Sequence, residues 1–75
     1  MFTSFRDLID AWPNLREFGS DIGVGENTAK GMRRRDSIHS AYWDDVVTGA
    51  RCRDIDGVSL ELLSQLAKAR GRRAA

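Results

Sequence analysis

Residues 15–34 read LREFGSDIGVGENTAKGMRR, and this stretch decides the fold. Its small and apolar residues stand where two short, crossed helices need them. Gly19 falls on the first helix facing the second, where a large side chain would hold the two axes apart. Gly23 suits the turn between the helices, because glycine adopts a positive φ at little energetic cost. The residues predicted to fill the wedge between the two helices are Ile22, Val24, Ala29 and Met32.

The second helix of this pair is predicted to run from Glu26 to Arg35, and it is almost entirely polar. Its side chains suit DNA, because Asn27 can pair bidentately with adenine and Thr28 can contact a phosphate. Cationic contacts to phosphate would set affinity, whereas Asn27, Lys30 and Arg34 would read the base sequence. The cationic residues that end this helix are Lys30, Arg33, Arg34 and Arg35.

Helices are also predicted on both sides of the pair. On the N-terminal side, Thr3 or Ser4 can cap a first helix. That helix should end near Trp12, because Pro13 lacks the backbone N–H that a helix needs. Asn14 can then cap the first helix of the pair. On the C-terminal side, a fourth helix is indicated by an apolar stripe that comprises Tyr42, Trp43, Val46 and Val47.

The last predicted helix begins after a turn at residues 54–57, and Ser59 is its candidate cap. Its apolar residues are Leu60, Leu62, Leu63, Leu66 and Ala67. No strand-like alternation is present, so the sequence predicts an all-α fold, a compact bundle of four to five short helices. Residues 1–69 should form this single domain, and residues 70–75 a basic, frayed tail.

The formal net charge of +1 hides two unlike halves. Residues 1–29 carry a net charge of −3 and residues 30–75 one of +4, so positive charge concentrates where phosphate would be met. The single cysteine, Cys52, excludes an intrachain disulfide. No apolar run approaches the length of a membrane span, and no leader pattern opens the chain. We therefore expect a soluble, unprocessed protein of the cytoplasm, associated with the nucleoid and not with a membrane.

The run GSDIGV at residues 19–24, followed by a polar and basic helix, resembles the Cro and cI-like (XRE-type) helix-turn-helix regulators of phages and mobile elements. A weaker resemblance to the C-terminal helices of small Cro-like repressors extends over SIHSAYWDDVV at 37–47 and GVSLELL at 57–63. The resemblance implies a lambda-repressor-like bundle that contains a helix-turn-helix. It also implies base-facing or groove-lining places for Gly25, Glu26, Asn27, Lys30 and Arg34.

The function expected from these features is that of a sequence-specific transcriptional regulator, which inserts helix 26–35 into the major groove of an operator. A homodimer is expected because one helix reads too few base pairs, and because Leu60, Leu63 and Leu66 exceed the needs of so small a core. Two alternatives remain open. One is a protein-interaction module that uses the acidic half to bind RNA polymerase or another regulator. The other is a small recombination directionality or architectural factor that bends DNA.

Nothing in the sequence predicts an enzyme, a cofactor or a metal site. His39 and Cys52 are too few to hold a metal ion. Asp44 and Asp45 are adjacent on a helix, so their side chains point in different directions, and they read as a solvated face or a partner surface. The aromatic residues are expected in the core rather than on a base-stacking surface, and they are Trp12, Phe18, Tyr42 and Trp43.

Overall fold

The computed structural model describes residues 2–74, and side chains as far as residue 71. Five α-helices form an all-helical bundle without strands among the described residues, as the sequence predicts. A short 3₁₀ turn, Ser40–Tyr42, leads into the fourth helix. The helices are α1 Phe5–Ile9, α2 Leu15–Ile22, α3 Glu26–Arg35, α4 Trp43–Cys52 and α5 Leu60–Ala74.

Side-chain caps fix where the helices begin, and three of them are confirmed. The side chain of Ser4 accepts a hydrogen bond from the backbone N–H of Asp7 at the start of α1. Asn14 caps α2 in the same way, and the Ser59 hydroxyl accepts from the backbone of α5. Each cap satisfies a backbone donor that the first turn of a helix leaves unpaired. A fourth cap, in which Nδ1 of His39 accepts from the backbone of the 3₁₀ turn, gives this histidine a structural role.

One predicted boundary is wrong. The first helix ends at Ile9 rather than near Trp12. After it, the backbone N–H groups of Ala11 and Trp12 donate to the carbonyl oxygens three residues earlier, of Leu8 and Ile9, which is a tighter turn than an α-helix. The chain thereby turns before Pro13, whose ring disfavours helical backbone in the preceding residue. α5 runs to Ala74 and so includes residues of the predicted basic tail, whose fraying stays a prediction. Arg70 supports this extension through a bond from its Nε to the carbonyl oxygen of Arg35, at 3.4 Å. Residue 75 lies outside the described residues.

The core takes apolar side chains from all five helices. Trp12 and Phe18 pack edge to face with ring centroids 5.0 Å apart, as expected for core aromatics. Tyr42 and Trp43 are only partly buried against this core. The buried apolar residues are Phe5, Leu8, Ile9, Trp12, Phe18, Ile22, Ala29, Met32, Ile38, Val46, Ala50, Leu63 and Leu66.

The core of this chain uses two of the three leucines that the sequence analysis counted as more than a small core needs. Leu63 and Leu66 are both buried within this chain, and Leu60, with 49% of its surface exposed, is the one large apolar side chain that the structure describes as exposed. α5 is the longest described helix at 15 residues. None of the helices in residues 2–74 qualifies as a membrane span.

A polar junction centred on Arg53 ties α4 to α2. Its guanidinium donates to both carboxylate oxygens of Asp21, at 2.6 and 3.1 Å, and to Glu17 at 2.8 Å. Trp12 adds a bond from its indole Nε1 to Asp21, at 2.8 Å. Hydrogen bonding from Arg53 lowers the pKa of Asp21 below its ordinary value, and burial opposes this while the bond from Trp12 reinforces it.

This lowered pKa predicts a loss of stability in acid. A carboxyl group whose pKa is lower in the folded than in the unfolded chain stabilises the fold above its unfolded pKa of about 3.9, and that contribution disappears as the pH falls through the folded pKa. We therefore expect Asp21→Asn to lower the melting temperature at pH 7, and the gap from the wild type to narrow as the pH falls from 7 to about 3. Thermal unfolding followed by circular dichroism between these pH values tests this. A gap that stays constant with pH would contradict it.

Candidate nucleic-acid interface

α2 and α3 meet through a tight turn, residues 23–25, that glycine makes possible. Gly23 adopts left-handed backbone with φ of 79°, as predicted. The N–H of Val24 returns to the carbonyl oxygen of Gly19 at 2.8 Å, which closes the turn onto the end of α2. A Cβ atom at Gly19 would lie only 2.7 Å from the carbonyl oxygen of Val24. The sequence prediction that this position excludes a larger side chain is therefore confirmed, although the close neighbour is the turn backbone and not the axis of α3.

α3 covers residues 26–35, as predicted, and one of its sides faces the core. Ala29 and Met32 are buried as expected, and Gly31 is buried as well. The opposite side carries four exposed residues, which fall within roughly a 100° arc of the helix. We call this set the outer stripe, and it consists of Glu26, Asn27, Lys30 and Arg34.

The side chains of the outer stripe are free to meet a ligand. Within residues 2–71 none of these four side chains makes a hydrogen bond or an ion pair to another described residue. Gly25 precedes the stripe in extended backbone, as the N-cap residue, and offers no side-chain hydrogen bond to the first turn of α3. The backbone donors of that first turn therefore lie beside the outer stripe with no side-chain cap.

Thr28 and Arg35 flank the outer stripe on the side of Gly31. Both are exposed. The Arg35 guanidinium lies across Gly31, so a Cβ atom there would be 3.0 Å from its Nη1. Gly31 thus leaves room for an arginine side chain to lie along the helix surface.

This arrangement predicts that Gly31→Ala raises stability. The contact is with the end of a flexible side chain, which can move, and alanine is favoured over glycine in a helix by about 1 kcal/mol. We expect a higher urea midpoint for this variant. Gly71→Ala in α5, where a new Cβ meets nothing within 4 Å, is the matched control. If Gly31→Ala were less stable than the wild type and Gly71→Ala were not, the Arg35 side chain would be fixed in place and could not move aside.

Arg33 differs from the other cations of α3. Its guanidinium forms a fork on the carboxylate of Asp10, with bonds of 2.7 and 3.1 Å. The side chains are 42% and 50% exposed, respectively. Hydrogen bonding between them lowers the pKa of Asp10, against a smaller opposing effect of burial, and raises that of Arg33. The structure therefore places this predicted DNA-binding residue in an ion pair between α1 and α3.

Arg6 in α1 is a second contact to α3 that the sequence did not indicate. Its Nε and Nη2 donate to the carbonyl oxygens of Arg33 and Arg34, both at 3.2 Å. Its backbone N–H donates to Asp36, the residue with φ of 54° that ends α3. A cation at the carboxyl end of a helix interacts favourably with the helix dipole. The pairing joins residues 27 and more positions apart in the chain, so no local pattern reveals it.

Other candidate sites carry little chemistry. No group of acidic, histidine and cysteine side chains among the described residues could hold a metal ion. Asp44 and Asp45 are exposed in the first turn of α4, in line with a solvated acidic face. Cys52 is exposed. An open, largely apolar groove of about 530 Å³ lies along α5, and its lining includes Phe2, Gly57, Leu62, Leu66 and Ala69.

Comparisons of the chain with known protein families, with curated proteins and with solved structures found no match. The interpretation of α3 therefore rests on the arrangement of this chain's own residues.

Proposed function

We propose that this protein is a sequence-specific DNA-binding transcriptional regulator of the Cro and cI-like type, in which α2 and α3 form a helix-turn-helix and α3 enters the major groove. The observation that carries the proposal is the outer stripe. It presents a carboxylate, an amide, an ammonium group and a guanidinium, none engaged by the rest of the described chain, on a helix whose opposite side is packed in the core.

Helix stability accounts for only part of the polar composition of α3. Glu26 in the first turn and the arginines in the last turn suit the helix dipole, so these charges have a structural explanation. Asn27 and Thr28 do not, because both are poorer helix formers than alanine and neither side chain has a partner within residues 2–71. Polar groups held outward at a cost to the helix are what a surface that reads DNA requires.

The roles follow from the chemistry of each side chain. Asn27 matches the N6 and N7 edge of adenine, and Lys30 matches the O6 and N7 edge of guanine. Glu26 can accept a hydrogen bond from cytosine N4. Thr28 and Arg35, on the flank of the stripe, suit phosphate contacts, which set affinity and not sequence preference. Arg34 lies at the basic end of the outer stripe, where its guanidinium can contact either a base or a phosphate.

A second copy of the chain is the partner that this proposal needs, because one α3 reads too few base pairs. The exposed side of α5 is suited to self-association. Glu61 and Lys68 are exposed and seven residues apart, and so share one side of the helix. In an antiparallel pairing of two α5 helices centred between Ser64 and Gln65, each Glu61 would lie opposite Lys68 of the second copy. The apolar groove along α5 would be covered in the same pairing.

Selection of duplexes from random DNA tests the proposal, with affinity measured by fluorescence anisotropy at several salt concentrations. We expect an enriched inverted repeat, and an affinity that falls with salt with a slope near −0.9 for each phosphate contact. An enriched sequence without a repeat would keep DNA binding and overturn the homodimer. No enrichment at low salt would favour the protein-interaction alternative, for which the exposed Asp44 and Asp45 offer a surface. Phased-bending gels on the enriched duplex would identify an architectural factor.

A further inference from the structure

The three consecutive arginines that end α3 are not equivalent. Arg34 and Arg35 are exposed, and neither guanidinium has an ion-pair partner within residues 2–71. Arg33 instead holds Asp10 through two hydrogen bonds, in the forked geometry that gives a guanidinium–carboxylate pair a fixed orientation. This pair is neutral overall, so it contributes little attraction to phosphate as it stands.

The same end of α3 is held at further points. Arg6 donates to the carbonyl oxygens of Arg33 and Arg34, and its backbone N–H donates to Asp36. Beyond Asp36, the N–H of Ser37 returns to the carbonyl oxygen of Met32 at 3.0 Å. All of these contacts come from Arg6 in α1, except the bond from Ser37 to Met32. Together with the fork they fix the carboxyl end of α3 against α1, while the outer stripe remains free.

We infer that Arg33 is a positioning residue and not a DNA contact, with Asp10 as its counterpart on α1. The inference rests on the proposed function, and it removes Arg33 from the residues predicted to contact DNA. The pair sets the angle at which α3 leaves the bundle, and through it the place of Asn27 and Lys30 relative to the bases. A direct phosphate contact by Arg33 would require its fork with Asp10 to break.

Asp10→Asn distinguishes the two roles by the sign of its effect. Removing a carboxylate from a DNA-binding surface should strengthen binding if Arg33 is a phosphate contact that Asp10 merely masks. If the pair positions α3, the same change should weaken binding to the selected duplex by roughly two- to fivefold, the low end for coupled residues, because both side chains are about half exposed. Arg33→Gln should weaken it to a similar degree. The double variant should be no worse than either single one, because the interaction is lost only once.

The salt dependence gives a second readout that a purely structural effect would not move. Arg33→Gln should leave the slope of log affinity against log salt at the wild-type value. Arg35→Gln, the matched control on the same helix, should reduce the magnitude of that slope by about 0.9. A reduced slope for Arg33→Gln, or tighter binding by Asp10→Asn, would overturn the inference.

Failure of the inference can be told apart from failure of the proposed function. If the wild type selects no duplex, the proposed function fails, and the inference fails with it. If the wild type selects a duplex and the Asp10 variant binds it more tightly, only the positioning role fails. Melting temperatures of the wild type and the four variants, measured without DNA, verify that each variant is folded during the binding assay.

Discussion

Replacing Gly19 with alanine is expected to lower the free energy of unfolding by about 1–3 kcal/mol, as overpacking a closely packed site does. The added Cβ atom would lie 2.7 Å from the carbonyl oxygen of Val24 and 3.2 Å from that of Gly25. Both neighbours are backbone atoms, so the strain is relieved only by moving the turn that joins α2 to α3. The bond from Val24 to Gly19, at 2.8 Å, is then lost or lengthened.

Urea unfolding followed by circular dichroism measures this effect. Gly71→Ala is the control, since it makes the same substitution within a helix where a new Cβ atom meets nothing within 4 Å. The expected order of stability places Gly19→Ala far below the wild type, with Gly31→Ala and Gly71→Ala at or above it. If Gly19→Ala unfolded at the same urea concentration as Gly71→Ala, the turn between α2 and α3 would be loosely held.

The consequence reaches function, because the turn also sets the start of α3. Gly25 is the N-cap residue of that helix, and its carbonyl oxygen accepts from Ala29. A shift of the turn therefore moves Asn27 and Lys30 relative to α2. We expect Gly19→Ala to weaken DNA binding at temperatures where the variant is still folded, whereas Gly71→Ala should bind DNA as the wild type does.

The features that the sequence predicted correctly are local ones. A cap needs two residues three positions apart, and a glycine turn needs one residue with unusual backbone freedom, so Ser4, Asn14 and Gly23 could be assigned from their neighbours in the chain. The extent of α3 followed from the polar helical stretch that ends at Arg35, and the structure ends the helix there, with Asp36 in the left-handed conformation.

Apart from the end of α1, the features that the sequence did not reveal depend on pairings between distant residues. Asp10 and Arg33 are 23 residues apart, and Asp21 and Arg53 are 32 apart. Charge patterns show that such residues are available, but not which pairs meet across the bundle. The leucines of α5 were misjudged for the same reason. Leu63 looked more than the core needs in the sequence, because the sequence does not show which side chains bury it.

Replacing Asn27 and Lys30 together with alanine is expected to abolish sequence preference while leaving the protein folded. Each residue can make a base contact worth about 1–3 kcal/mol of discrimination, so the ratio of affinities for selected and scrambled duplexes should fall by roughly 30-fold or more. The fold should not suffer, because both side chains are exposed and alanine is the better helix former at each position.

The decisive comparison is with Arg35→Gln, measured on the same two duplexes. Arg35 lies on the flank of the outer stripe, where it suits phosphate and not bases, so its loss should weaken both duplexes by a similar factor. The variant that lacks both Asn27 and Lys30 should instead lose affinity mainly for the selected duplex. A protein whose two variants behave alike would bind DNA through charge alone, and the outer stripe would then supply affinity without reading sequence.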